Sequence, residues 1–143
     1  MSFATHILVA FDFSKRADIA LRNGGELAER FGGKLSVLHV RDSSVPVATA
    51  AGDRIKTTEE VDDAREARLA KVCAERLPGV SVHTEVIDAS DIAETLCDYA
   101  RAESVDLIIA GNQGVSGIVR MLMGSVAEEI VRHAPCAVLI VRE

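Results

Sequence analysis

The stretch Val105-Asp106-Leu107-Ile108-Ile109-Ala110-Gly111-Asn112-Gln113-Gly114 decides the fold of this chain. Residues 107–110 are apolar with no alternation, as a strand must be when helices cover both of its faces. Gly111 and Gly114 then mark a sharp turn, since glycine adopts backbone angles closed to other residues. The run Ile7-Leu8-Val9-Ala10-Phe11 has the same character. Both segments therefore predict central strands of a parallel sheet.

Working outward, apolar runs at 6–11, 35–40, 80–87, 106–110 and 136–141 alternate with segments of helical period. Ala20, Leu27, Ala28 and Phe31 share one face of the first helical segment. Val61, Leu69, Val72 and Cys73 mark the second, opened by the capping pair Thr57 and Glu60. Ile92, Leu96 and Ala100 mark the third, and Val126, Ile130, Val131 and Ala134 the fourth. Strand and helix alternate throughout, which predicts an α/β fold, a parallel sheet with helices on both faces. Residues 80–87 do alternate, with Val80, Val82, Thr84 and Val86 on one side, as suits an edge strand. The order 3-2-1-4-5 satisfies these constraints. It puts a switch point between strands 1 and 4, where ligands bind beyond the carboxyl ends of the strands.

The 143 residues suit one domain, 1–143, large enough to fold without a disulfide or metal. The formal net charge of -6 opposes a polyphosphate backbone and argues against general nucleic-acid binding. A local phosphate site needs only backbone amides and is not excluded by that charge. Cys73, Cys97 and Cys136 form no C-x-x-C pair and sit among apolar residues, as small buried thiols do. The first residues, Met1 to His6, show no basic region followed by a cleavable apolar stretch, and no apolar run approaches the length needed to cross a bilayer. The expected location is cytoplasmic.

Strand 5 is an exception to good manners at a sheet edge. Ala137-Val138-Leu139-Ile140-Val141 carries no charge or proline to discourage pairing. The expectation is a homodimer through this edge, with dimer and tetramer both open. Residues 42–57 lack a clear period and exceed the usual connection length, so they read as a lid or a plain surface loop.

After strand 4, Gly111, Gly114 and Gly124-Ser125 bring two glycine turns and a helix start to one place. The first amides of a helix are unpaired and partly positive, which makes a phosphate a natural occupant. Ser125-Val126-Ala127-Glu128 is equally a capping box in which the serine serves only its own helix. Spacing alone leaves these two readings open.

The spacing Gly111-x2-Gly114-x9-Gly124-Ser125 resembles the G-2x-G-9x-G-(S/T) signature of ATP-binding universal stress proteins. The resemblance extends to His6-Ile-Leu-Val-Ala-Phe-Asp12-Phe-Ser14, to Leu38-His39-Val40, to 105–111, and to nearly the whole segment 124–142. It implies a Rossmann-like fold of the adenine nucleotide alpha-hydrolase type. It also implies ATP as the cofactor, with Mg. By that resemblance Ala10 and Asp12 face the nucleotide, with Asp12 near the ribose or as the metal ligand. Val40 sits against the adenine, and Ala110 lies on the nucleotide side of strand 4. Gly111, Gly114, Gly124, Ser125 and Val126 hold the phosphates. Asp12 has a competing role as the N-cap of the first helix.

The chain departs from the family pattern at Ala10 and Ala137, where proline is common, and at Ser90 and Ile92 before helix 3. Asn112-Gln113 lacks the basic residue often found in the glycine loop, with Arg120, Lys15 and Arg16 as candidate substitutes. No P-loop, dinucleotide fingerprint, nucleophilic triad or metal-ligand spacing is present. The expected role is thus a regulatory ATP sensor acting on a partner protein. A slow Mg-dependent ATPase and a nucleotide-independent dimeric adaptor are the alternatives.

Overall fold

In the computed structural model the first strand, β1 (His6–Ala10), sends Ile7 and Val9 to one side of a sheet and Leu8 to the other. All three are fully buried, because helices cover both faces. The structure describes residues 3–44, 58–113 and 123–143. Along the chain follow α1 (Lys15–Phe31), β2 (Lys34–Asp42), α2 (Thr58–Arg76) and β3 (Val82–Ala89). Then come α3 (Ile92–Ala102), β4 (Leu107–Gly111), α4 (Ser125–His133) and β5 (Ala137–Val141).

The five strands are parallel and run in the order β3-β2-β1-β4-β5, as the sequence predicts. Ile7 pairs with Leu35 on one side and Leu107 on the other, so β1 and β4 are central. Residues of α1 and α2, including Leu21, Leu69 and Cys73, pack with Ile7, Val9, Val37 and Ile109 on one face. Ala93, Leu96 and Ala100 of α3 and Ile130 of α4 pack with Leu8, Leu38 and Ile108 on the other. Two consecutive crossovers on each face are what a doubly wound sheet requires.

At the amino ends of the strands, Asp106 accepts hydrogen bonds from the Thr5 amide and hydroxyl and from the His6 amide. His6 is buried beside it. Its Nδ1–H donates to the Glu103 carbonyl (3.0 Å) and its Nε2 accepts from the Ser36 hydroxyl (2.7 Å). The buried polar groups here are satisfied, so this end is a fastening for the sheet.

Several local expectations need correction. Phe31 is 51% exposed rather than part of the apolar face of α1. It is the last helical residue before Gly32 turns the chain in the left-handed region, and it meets Phe3 edge to face at 5.9 Å. In α4 the buried residues are Ala127 and Ile130, while Val126 and Val131 are exposed. That helix lies over the edge of the sheet, where a narrow stripe suffices. Strand β3 starts at Val82, because the Val80 amide closes the preceding turn onto the Leu77 carbonyl. Thr57 of the expected capping pair and most of the 42–57 segment lie outside the described residues. Among the described residues no helix is long and apolar enough to cross a membrane.

Candidate functional site

The carboxyl ends of β1, β2 and β4 carry most of the residues singled out in the sequence. Ala10 ends β1 and lies in register with Leu38, while Val40 lies two residues further along β2. Val40 and Ala110 are buried against the α3 and α4 face. Gly111 closes β4, next to Val141 of β5. Gly114 and Arg120 lie outside the described residues.

Asp12 is not the N-cap of α1. Ser14 holds that position, and its hydroxyl oxygen accepts from the Ala17 amide at 3.1 Å. Asp12 instead accepts the Ser14 amide through Oδ1 at 3.0 Å, closing a turn one step earlier. Its second oxygen has no partner among the described residues. Phe13, between the two, holds a φ of 63°, a left-handed conformation seldom taken by a bulky side chain.

The start of α4 also differs from the capping box. Gly124 is the N-cap, so no side chain caps the helix, and Ser125 is the first helical residue. The Gly124 amide donates to the Asn112 carbonyl at 2.6 Å, drawing the helix start against the end of β4. The Asn112 amide in turn donates to the Val141 carbonyl at 2.9 Å. The side-chain oxygen of Asn112 is buried and has no hydrogen-bond partner among the described residues. A Cβ on Gly124 would stand 3.3 Å from the Asn112 carbonyl oxygen. One on Gly111 would stand 2.8 Å from the Cβ of Arg16. Gly111 is therefore required by how α1 packs on the 111–113 turn, and Gly124 sits tightly against the same turn.

His39 lies on β2, one residue before Val40. Its Nδ1–H donates to the Phe11 carbonyl at 2.8 Å, and its ring meets Phe13 edge to face at 4.9 Å. Burial pushes its pKa below the usual histidine value, and the Arg65 and Arg68 charges push the same way against the pull of Asp12 and the Phe11 bond. Arg68 lies over the Phe13 ring, 4.0 Å from its centroid. Arg65 points Nη1 between Asp62 and Asp88, at 3.6 and 3.7 Å. That nitrogen is buried and makes no hydrogen bond among the described residues. No spacing in the sequence announces this group, because it is assembled from the β1–α1 turn, β2 and α2. Of the basic residues proposed to assist the glycine loop, Arg16 pairs with Glu143 at 3.3 Å.

The cysteines do not have the form of a nucleophilic centre. Burial pushes the Cys73 thiol up to about 11 and raises those of Cys97 and Cys136. Such thiols are poor nucleophiles. Among the described residues no three His, Cys, Asp or Glu side chains converge as a metal site.

Residues 4–142 match the model of the universal stress protein family. A Staphylococcus aureus (strain USA300) protein carrying the universal stress protein name is 33% identical over 150 residues, covering 96% of this chain and 83% of its own. The structure of universal stress protein UspA from Lactobacillus plantarum superposes with a TM-score of 0.72 at 26% identity, over 99% of this chain and 100% of that one. A universal stress protein from Archaeoglobus fulgidus, solved in complex with dAMP, superposes at 0.64 with 19% identity, over 98% of each chain. A family match along nearly the full length, a relative at one-third identity and the shared sheet order together establish that the chain belongs to the universal stress protein family.

Proposed function

We propose that this protein binds ATP, with Mg, at the carboxyl ends of β1, β2 and β4 and acts as a nucleotide-dependent regulatory switch. The observation that carries this is the start of α4. Its first amides lack a side-chain cap, and the Gly124 to Asn112 hydrogen bond holds them at the end of β4. Unpaired amides at a helix start are donors for phosphate oxygens. Asp12 offers a carboxylate oxygen at the neighbouring strand end.

In this reading Ala10, Val40 and Ala110 shape the nucleoside end, Asp12 takes the ribose or the metal, and Gly111, Gly114, Gly124, Ser125 and Val126 surround the phosphates. One carboxylate is enough for Mg, which keeps most of its water and is otherwise held by phosphates. The dAMP complex of the Archaeoglobus protein is a fact about that protein, and at 19% identity it supports the fold alone. The case for this chain rests on its own residues.

The absence of a general base or cationic clamp among the described residues favours a switch over rapid phosphoryl transfer. We place the protein in the cytoplasm as a single-domain homodimer through β5, whose outer edge meets no other strand among the described residues. Leu139 stays 39% exposed there. The test is calorimetric titration of the purified protein with Mg-ATP, alongside Ser125→Ala. Binding that weakens roughly 10- to 150-fold in the variant is expected, the worth of one hydrogen bond to a charged group. No binding to the parent protein overturns the proposal.

A further inference from the structure

We infer that His39 is a positioning residue for Asp12, acting through the backbone on both sides of it. The inference rests on the proposed nucleotide site and adds a residue to its machinery. The peptide segment from Phe11 to Ser14 has an unfavourable shape for its sequence, because Phe13 sits at a φ of 63°. Such a conformation is strained and persists only where its surroundings over-determine it.

His39 supplies two of the constraints. Before Asp12, its Nδ1–H donates to the Phe11 carbonyl at 2.8 Å. After Asp12, its ring edge packs against Phe13 at 4.9 Å. The remaining constraints come from neighbours: Phe11 lies edge to face with Phe13 at 5.0 Å, and Arg68 closes over the free face of the Phe13 ring. The turn is completed by Asp12 Oδ1 accepting the Ser14 amide, which spends one carboxylate oxygen on geometry. The other oxygen is thereby aimed by a rigid frame whose keystone is on β2.

The Nδ1 bond also fixes the tautomer. A carbonyl only accepts, so Nδ1 carries the proton, and the neutral ring keeps its lone pair on Nε2. Asparagine places its amide nitrogen near the position of histidine Nδ1 and can make the same bond. Glutamine reaches further and mimics Nε2. The conservative replacements therefore separate the proposed bond from mere bulk.

The experiment measures Mg-ATP affinity by calorimetry and melting temperature in parallel, for the parent, His39→Ala, His39→Asn, His39→Gln, Asp12→Ala and the double variant His39→Ala/Asp12→Ala. His39→Ala is expected to weaken binding roughly 3- to 10-fold, by the loss of a positioned hydrogen bond. His39→Asn should restore most of that loss, and His39→Gln should not. In the Asp12→Ala background, His39→Ala should have no further effect on affinity, since its action runs through a carboxylate already gone. Equal binding by the parent and His39→Ala overturns the inference, as does an additive loss in the double variant. Should His39→Ala fail to fold, the comparison of Asn with Gln decides alone, and equal affinities there overturn it. A parent protein that binds no nucleotide instead overturns the proposed function, a result separate from either of these.

Discussion

The amide of Gly124 and the carbonyl of Asn112 are joined across 2.6 Å, so the residue that caps α4 is bonded to the residue that follows β4. The contact is too close for a side chain at Gly124 to grow freely, with Asn112 O and Gln113 Cα at 3.3 and 3.5 Å from its Cβ position. Replacing Gly124 with glutamine should therefore disturb the turn and the ligand site together. A lowered melting temperature is expected for that variant, and an unchanged one would show that the turn yields.

Ser125→Ala separates the two effects. Ser125 is exposed and does not cap its helix, so its removal should change unfolding free energy by no more than about 0.5 kcal/mol. The weakened Mg-ATP affinity expected of it would then be a site effect. A loss of stability in urea unfolding would restore the serine to a structural role.

Gly111→Ala tests packing at the other side of the turn. Its new methyl would stand 2.8 Å from the Arg16 Cβ, and overpacking of that kind costs about 1–3 kcal/mol. A clear drop in urea midpoint is expected. Equal midpoints would mean that α1 shifts away at little cost.

His39 makes stability depend on pH. Its folded pKa lies below the unfolded value, chiefly because of burial, so the unfolded chain takes up a proton that the folded chain resists. Stability is then fully present above the unfolded pKa of about 6.5 and falls as pH drops from there through the folded value. Urea unfolding at pH 7.5 and 5.5 should show this loss in the parent and a smaller one in His39→Asn. Identical losses in both proteins would assign the effect to other groups.

The β5 edge gives a prediction about assembly. Leu139→Lys places a charge on the exposed side of that strand, where it should block pairing with a second copy. Light scattering should give twice the monomer mass for the parent and the monomer mass for the variant. A variant that keeps the doubled mass would move the interface elsewhere.

The sheet was legible because its signals are local. Unalternating runs at 7–11 and 107–110 can only be strands covered twice, and their order followed from the alternation at β3. Helix ends were less so. Asp12 and Ser14 are both good caps, and the choice between them turned on the left-handed backbone at Phe13, which no residue there demands. Val126 and Val131 look apolar enough for burial, yet α4 rides an edge with room for one stripe. The His39, Phe13 and Arg68 stack was illegible for a different reason. Its members are brought together from β2, the β1–α1 turn and α2, and only the finished topology sets them side by side.

The hydrogen bond from the Asn112 amide to the Val141 carbonyl has a mechanical meaning. It fastens the glycine turn to the last residue of the outermost strand, with no flexible span between them. A molecule that pulled on residues 111–113 would tug the rim of the sheet as directly as a hand on a door handle moves its free edge. Anything that gripped that rim would stiffen the turn in return. By reciprocity of linked equilibria, an occupant of one end and a companion at the other would each sense the arrival of the other through a single hydrogen bond.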